Sequence, residues 1–574
     1  MGWISGAGRR PEIIIHSHLA FLARQVLPYG QAETGGHHPH SHARSTPQTE
    51  TMPLPPQLQS LRATLKTDRD LARPAGVLLA LVFMLTAVAV DNVINRDGIL
   101  YLDAASAYLN GGIKAALQTY PWPAYPIAIA ELSRLTGFSL EHAAYLLNGI
   151  CLAVLIDGFV KLCRLIDSEQ NRGWLPLMLV LALPIVDDRL QIIREWGYLA
   201  FSMQAFVQFT RFLLAPHGRL GEALLWQASI GSAALFRIEA CIFMVLAPLA
   251  LLAQDRPWRA RLRRWFYASC WVAPALAVLL TLTLVGTLPA SRLIELAHRG
   301  HPYIVWDLFS AQAESLANAV LNQYSKDLAG LILGTGLVAA TVYMTLANLG
   351  AGLLFVSGLS LYRKRLACSP AALTALWIIA INTMTLLVFL AREPITVNRY
   401  ALLSSLLMLA FISPTIGAAL TPGNTAAPAR LERIRRHAVT LILTGLVAAN
   451  LIVLPDSKAY LREVGGWIHE NAPATETVLT NDSRIQYYAQ RPRGDGLIRT
   501  VPLIEEALRT TPAPYYLALR LDNERTTALA GRLNCIDRIR VFESHTGRES
   551  VHIFRVEQTP SGWKANGAFC PGQP

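Results

Sequence analysis

The sequence predicts a mainly α protein: a polytopic transmembrane helical bundle of about eleven spans, followed by a small C-terminal α/β soluble domain. Three observations carry this expectation. The 574 residues are 52% hydrophobic and only 16% charged, with a mean hydropathy of +0.33, where ordinary soluble domains carry roughly 25% charged residues. The apolar residues are gathered into runs, and the Lys and Arg residues between the runs are unevenly shared.

The runs lie near 74–91, 140–160, 174–190, 196–214, 220–236, 240–253, 266–288, 329–361, 371–391, 400–420 and 438–454. A helix needs about 20 apolar residues to cross a hydrocarbon core. Several runs are shorter, so the count of eleven depends on dividing the chain at Arg237. With the N-terminus inside, the connections 161–174, 211–219, 254–264, 362–370 and 421–437 hold 17 Lys/Arg in 60 residues. The opposite connections, 92–139, 187–195, 237–239, 289–328 and 392–399, hold 11 in 108. This bias makes the first set cytoplasmic. The densest basic loop, Arg256, Arg259, Arg261, Arg263 and Arg264, reads as a topology determinant, and the net charge of +12 then calls for no nucleic acid.

Two segments lie outside the bundle at 74–455. Residues 1–73 read as a disordered cytoplasmic tail, with metal binding by Gly-Gly-His-His-Pro-His-Ser-His at 35–42 as the lesser reading. Translation starting at Met52 is an alternative, since 53–73 already leads into the first span. No cleavable signal peptide is recognisable. Residues 456–574 form the soluble domain, with a helix at 458–471 and short strands at 477–479, 515–521, 538–542 and 551–556. Cys535 and Cys570 lie in it, as a disulfide or as two free thiols.

Charged residues are costly near lipid, at about 2.5–3.5 kcal/mol each at the bilayer centre, so their clustering at one end of the spans needs a reason. Asn95-Arg96-Asp97-Gly98-Ile99-Leu100-Tyr101-Leu102-Asp103 follows the first span, with Gly98 allowing a turn and Ala104–Ala116 an amphipathic surface helix. Tyr120-Pro121-Trp122-Pro123-Ala124-Tyr125-Pro126 reads as interface anchoring. Further clusters are Asp187-Asp188-Arg189 with Arg194-Glu195-Trp196-Gly197-Tyr198, then Arg237-Ile238-Glu239, then Arg392-Glu393 with Asn398-Arg399-Tyr400. All fall on one predicted side, which suggests a shared polar cavity. Carboxylates can deprotonate a hydroxyl or hold a divalent cation, and guanidinium groups can grip a departing phosphate. Sugar transfer from a lipid phosphate needs these groups.

The order Arg96-Asp97-Gly98, Tyr101-Leu102, Gly111-Gly112, Tyr120-Pro121, Tyr125-Pro126 and Leu135-Thr136-Gly137 resembles the first extracytoplasmic loop of the GT-C superfamily of integral-membrane glycosyltransferases. Ile192 to Tyr198 resembles its second acidic loop and Phe236 to Glu239 a later feature. Trp467-Ile468 through Asn471, with Tyr487-Tyr488, resembles the start of its C-terminal domain. The resemblance implies a GT-C-like bundle in a bacterial inner membrane, with active site and C-terminal domain periplasmic. It implies a polyprenyl-phosphate sugar donor and a lipid, glycan or protein acceptor. Carried over, Asp97 is the base or acceptor-orienting acid and Glu195 the second acid, with Asp187 or Asp188 as substitutes. Arg194, Arg237 and Arg399 are the candidate phosphate contacts; Asp103, Glu239, Tyr101 and Tyr198 are candidate substrate or metal contacts. A divalent cation is the one cofactor left open. The rival reading is a transporter or flippase, for which Asp157 inside the second span is the best sign.

Overall fold

The computed structural model describes residues 71–557 apart from 90–92, 172, 185–190, 217–219, 272–280, 282–283, 285–300, 362–368, 394–396, 422–429, 453–457, 493–495, 499, 522–526, 529–532, 534–535, 546 and 548. The His-rich tail, the pair Asp187 and Asp188, and the cysteines Cys535 and Cys570 lie outside the described residues.

Where they are described, the apolar runs fold as helices, the arrangement that satisfies every backbone N–H and C=O within its own segment where water is absent; most of the run at 266–288 lies outside the described residues. In chain order these and the connecting helices are α1 (Ala72–Ala89), α2 (Arg96–Thr119), α3 (Ala124–Thr136), α4 (Leu140–Ile166), α5 (Leu175–Leu181), α6 (Glu195–Leu214), α7 (Leu220–Phe236), α8 (Ala240–Leu246), α9 (Trp258–Ser269), α10 (Pro302–Ala319), α11 (Ala329–Ala347), α12 (Gly350–Leu361), α13 (Pro370–Arg392), α14 (Leu402–Leu420) and α15 (Arg430–Ile452). Among the described residues five segments are long and apolar enough to cross a membrane: Ala72–Ala89, Leu140–Ile166, Lys326–Ala347, Pro370–Arg392 and Asn398–Leu420. Two shorter apolar helices, Ala240–Leu251 and Gly350–Leu361, accompany them.

The single run expected at 329–361 is two helices. Unbroken it would extend about 50 Å at 1.5 Å per residue, well beyond a core of about 30 Å. The chain breaks between α11 and α12, where Gly350 takes φ +69°, a left-handed conformation open to glycine at little cost.

Burial separates centre from rim. The most apolar stretch of the segment ending in α14 is 89% buried and that of α4 is 67% buried, while α1 and the segment ending in α11 are 22% buried. Leu78 and Leu85 of α1 point outward, as a lipid-facing helix requires. Helix α6 packs on both α4 and α7. Its end is capped from α9: buried Arg264 donates to the carbonyls of Phe212, Leu213 and Ala215, and Arg256 donates to Pro216. Two arginines of the basic loop thus satisfy helix-end carbonyls, a local role beside the topological one. Asp157, the residue that suited a transporter, is paired with Arg73 at 2.6 Å and Lys161 at 2.5 Å and accepts from Gln204. It is a closed ion pair at the start of α1.

The C-terminal part contains α16 (Ala459–Asn471), β1 (Thr477–Thr480), α17 (Ser483–Tyr488), α18 (Val501–Thr510), β2 (Tyr515–Leu521), β3 (Asp537–Glu543) and β4 (Ser550–Val556). The sheet order is β1-β2-β4-β3, with β1 and β2 parallel and the other pairs antiparallel. Strand alternation sends Val478, Tyr516, Ala518 and Ile553 to one face with Leu461, Val464 and Ile468 of α16. Leu479, Leu517, Leu519 and Phe554 go to the other with Ile504 and Leu508 of α18. Val93, just after α1, is buried in the first of these cores.

Candidate functional site

Residues 93–97 tie the molecule together. Val93 enters the α16 core, and the Ile94 N–H donates to the Tyr488 hydroxyl at 3.0 Å. The Asn95 side chain accepts from Ile192 N at 2.9 Å and donates to Ile192 O at 3.2 Å, pairing with the loop before α6 as a strand neighbour would. Arg96 reaches Asp482 in the C-terminal part at 3.3 Å. Asp97, in the first turn of α2, meets Arg399 at 2.5 Å. Gly98 is helical, which corrects the turn expected there. A Cβ at this position would lie 2.7 Å from Asn95 Oδ1 and 3.0 Å from Ile192 Cβ, so glycine is needed for close approach. The break in the surface helix falls instead at Gly112, with φ +67°.

Arg399 bridges the two candidate catalytic acids. Its Nη2 holds Asp97, and its Nε lies 3.8 Å from Glu195 Oε1. Arg237 approaches the same Glu195 oxygen at 3.6 Å and binds Glu239 through two nitrogens, at 2.7 and 3.3 Å. Its guanidinium lies over the rings of Tyr400 and Tyr198, 4.7 and 5.5 Å from their centroids, the geometry of a cation–π contact. Burial opposes the charge on Glu239, which sits in the turn before α8, but the Arg237 charge and hydrogen bonds hold its carboxyl down to about 2. Arg194 completes the group over Tyr120, 5.7 Å from the ring centroid, and Tyr101 packs edge-on against both Tyr120 and Tyr125.

Three carboxylates and three guanidinium groups therefore meet at one place: Asp97, Glu195 and Glu239 with Arg194, Arg237 and Arg399. Exposure distinguishes the acids. The Asp97 side chain is 40% exposed and that of Glu195 only 5%. Arg194 Nε, Glu195 Oε2 and Arg399 Nε are buried without a hydrogen-bond partner. Most buried polar atoms are paired, and this cluster holds three of the exceptions among the described residues.

The structure brings together Asp97, Glu195, Arg194, Arg237, Arg399, Glu239 and Tyr198, with Tyr101 in the aromatic wall. It places Asp103 elsewhere: half-buried on α2, near enough to Tyr487 of α17 for its charge to act there. The stretch 120–126 is more than an interface anchor. Tyr125 is fully buried and donates to Asn148, and Trp122 donates to Ala234 O, so the prolines carry Tyr120 to the cluster. Sequence reasoning passed over Tyr120 and Tyr400 as site members; adjacency to Arg399 was the signal for Tyr400. Among the described residues no group of three His, Cys, Asp or Glu side chains is placed to hold a metal ion, and Asp97 and Glu195 each face a guanidinium.

Gly197, one turn into α6, allows α7 to approach: a Cβ there would lie 2.1 Å from the Phe236 ring. Gly197→Ala is expected to destabilise the protein by about 1–3 kcal/mol, as overpacking does. Thermal unfolding in detergent checks this, and an unchanged midpoint would show that the ring yields freely.

No family model matches the chain, and no curated protein matches it. Solved structures do. ArnT from Cupriavidus metallidurans bound to undecaprenyl phosphate matches at 13% identity and a TM-score of 0.47, covering 84% of this chain and 97% of that one. The archaeal oligosaccharyltransferase AglB from Archaeoglobus fulgidus, in complex with an inhibitory peptide and a dolichol-phosphate, matches at 11% identity and a TM-score of 0.39. That match covers 71% of this chain and 59% of AglB. At this level of likeness neither match assigns an activity to the chain.

Proposed function

We propose that the protein is a membrane glycosyltransferase that moves a monosaccharide from a polyprenyl-phosphate donor to an acceptor on the non-cytoplasmic side of a bacterial inner membrane. The observation that carries this reading is the bridge from Asp97 through Arg399 to Glu195, with buried, unpartnered polar atoms on Arg194, Glu195 and Arg399. Three acids already balance three bases there. A phosphate arriving at Arg399 competes with Asp97 for the guanidinium and frees the more exposed carboxylate.

The reaction then follows from charge. The acceptor hydroxyl gives its proton to Asp97 as its oxygen bonds to the anomeric carbon. The bond from that carbon to the phosphate oxygen breaks, and its electron pair leaves with the polyprenyl phosphate, whose charge Arg399 and Arg194 stabilise. Glu195 and Glu239 keep Arg399 and Arg237 aimed while the charges change. No step is routed through a cation.

Transfer of radiolabelled sugar from polyprenyl-phosphate donors by the purified protein in detergent tests the reading. Label moving to an acceptor supports it; no turnover with any of a panel of polyprenyl-phosphate sugars and envelope acceptors counts against it. Orientation has its own test. Single cysteines at Ser325 and at Ser369, in a cysteine-free background, are expected to react with an impermeant thiol reagent from opposite sides of intact cells. Labelling of both from one side contradicts the orientation.

A further inference from the structure

Resting on the glycosyltransferase reading of Asp97, we propose that the C-terminal part is a positioning device for that carboxylate, acting through Arg96 and Tyr488. Helix α17 supplies both contacts. Asp482 is its N-cap, accepting from the Arg484 backbone N–H at 3.0 Å, and Tyr488 closes its other end. Arg96 binds the first and the Ile94 N–H the second, so α17 and its cap hold the Ile94 backbone and the Arg96 side chain on either side of Asn95.

The anchor is stiff at its far end and open at its near end. The Asp482 side chain is fully buried, held by Arg484 at 2.5 Å and Arg520 at 3.1 Å. Arg520 continues to Glu549 at 2.9 Å, and Glu549 accepts from Tyr460. Burial works against the charge of Asp482, but the Arg484 hydrogen bonds and charge, with that of Arg96, hold its carboxyl well below the usual aspartate range. It therefore stays an anion, and a fixed one. The Arg96 side chain, by contrast, is 52% exposed. An exposed guanidinium adds little to global stability. What it does is fix the first turn of α2, where the next residue is Asp97. With Asn95 tied to Ile192, residues 94–97 are held in turn by the C-terminal part, by the loop before α6, by the C-terminal part again and by Arg399. Removing the two α17 contacts leaves this segment to the Asn95–Ile192 pair and to Arg399, so that Asp97 shifts with its helix end. Small misplacements of a reacting group cost rate steeply, up to about 10²-fold for 1 Å.

The test uses the full chain with Arg96→Met, Arg96→Lys and Tyr488→Phe; Asp482 is left intact because its loss would leave Arg484 and Arg520 buried and unpaired. Hydrogen exchange is measured first. Peptides covering 94–103 are expected to exchange about tenfold faster in Arg96→Met and in Tyr488→Phe, with β2 unchanged. Unchanged exchange at 94–103 in both overturns the proposal. Transfer kinetics come second. Arg96→Met is expected to lower kcat about tenfold with the donor KM within about twofold, and Arg96→Lys to restore most of the rate. On an Asp97→Asn background the Arg96→Met effect is expected to vanish; equal losses in both backgrounds overturn the proposal. If the wild type moves no sugar, the glycosyltransferase reading fails, and the exchange result still decides whether α17 holds the Asp97 segment.

Discussion

Asp97→Asn is expected to lower the rate of sugar transfer by about 10²-fold or more, the scale that a positioned general base contributes. Of the three clustered acids, Asp97 is the one whose oxygens an acceptor can reach: its side chain is 40% exposed, against 5% for Glu195 and 25% for Glu239. Asparagine keeps the shape and still accepts a hydrogen bond from Arg399, but it cannot take a proton. The loss should therefore fall on kcat, while the donor KM should not rise, because a neutral amide competes less with the phosphate for Arg399. Glu195→Gln acts differently, because Glu195 is enclosed by Arg399 and Arg237 and works through their charge; its loss is expected to be smaller. Steady-state transfer rates with both variants decide the matter. Full activity in both leaves the enzyme class standing and removes this site.

Arg237→Met is expected to cost about 3–5 kcal/mol of stability, the usual result of removing one partner from a buried ion pair. Its guanidinium is 9% exposed and is shared between Glu239 at 2.7 Å and Glu195 at 3.6 Å. Without it Glu239 loses its 2.7 Å partner and Glu195 is left with Arg399 at 3.8 Å. Methionine fills much of the volume, so the effect reads charge more than cavity. Arg237→Met with Glu239→Gln removes the stranded charge as well and is expected to recover part of the loss. Thermal unfolding followed by the fraction of monodisperse protein after heating measures both. A single variant as stable as the wild type would mean that water or lipid headgroups already satisfy the glutamates.

Much of this was legible in the chain because the signals are local. Apolar runs report helices through composition alone, and the helix and strands of the C-terminal part appear within a residue or two of where periodicity places them. The run at 329–361 was misread as one span because a glycine that breaks a helix looks, in sequence, like one that lines it; only the φ of Gly350 separates the cases. Asp157 looked like a charge stranded in hydrocarbon; its partner Lys161, one turn on, was in view in the sequence, but Arg73, 84 residues away, was not. Asp97, Glu195, Arg237 and Arg399 could be picked out by type and by predicted side. Their pairing could not.

The sequence by itself determined that the chain builds apolar helices, that its charges gather at their ends, and that a small sheet follows. These depend on the free energy of each segment against lipid or water, which needs no knowledge of neighbours. The tertiary structure decided which charges meet. Arg399 lies 302 residues from Asp97 and Asp482 lies 386 from Arg96, and an ion pair across such a separation leaves no periodicity to read. It forms because the start of α2, the loop before α6, the entry to α14 and α17 are packed to within hydrogen-bond reach, and that packing is a property of the whole bundle.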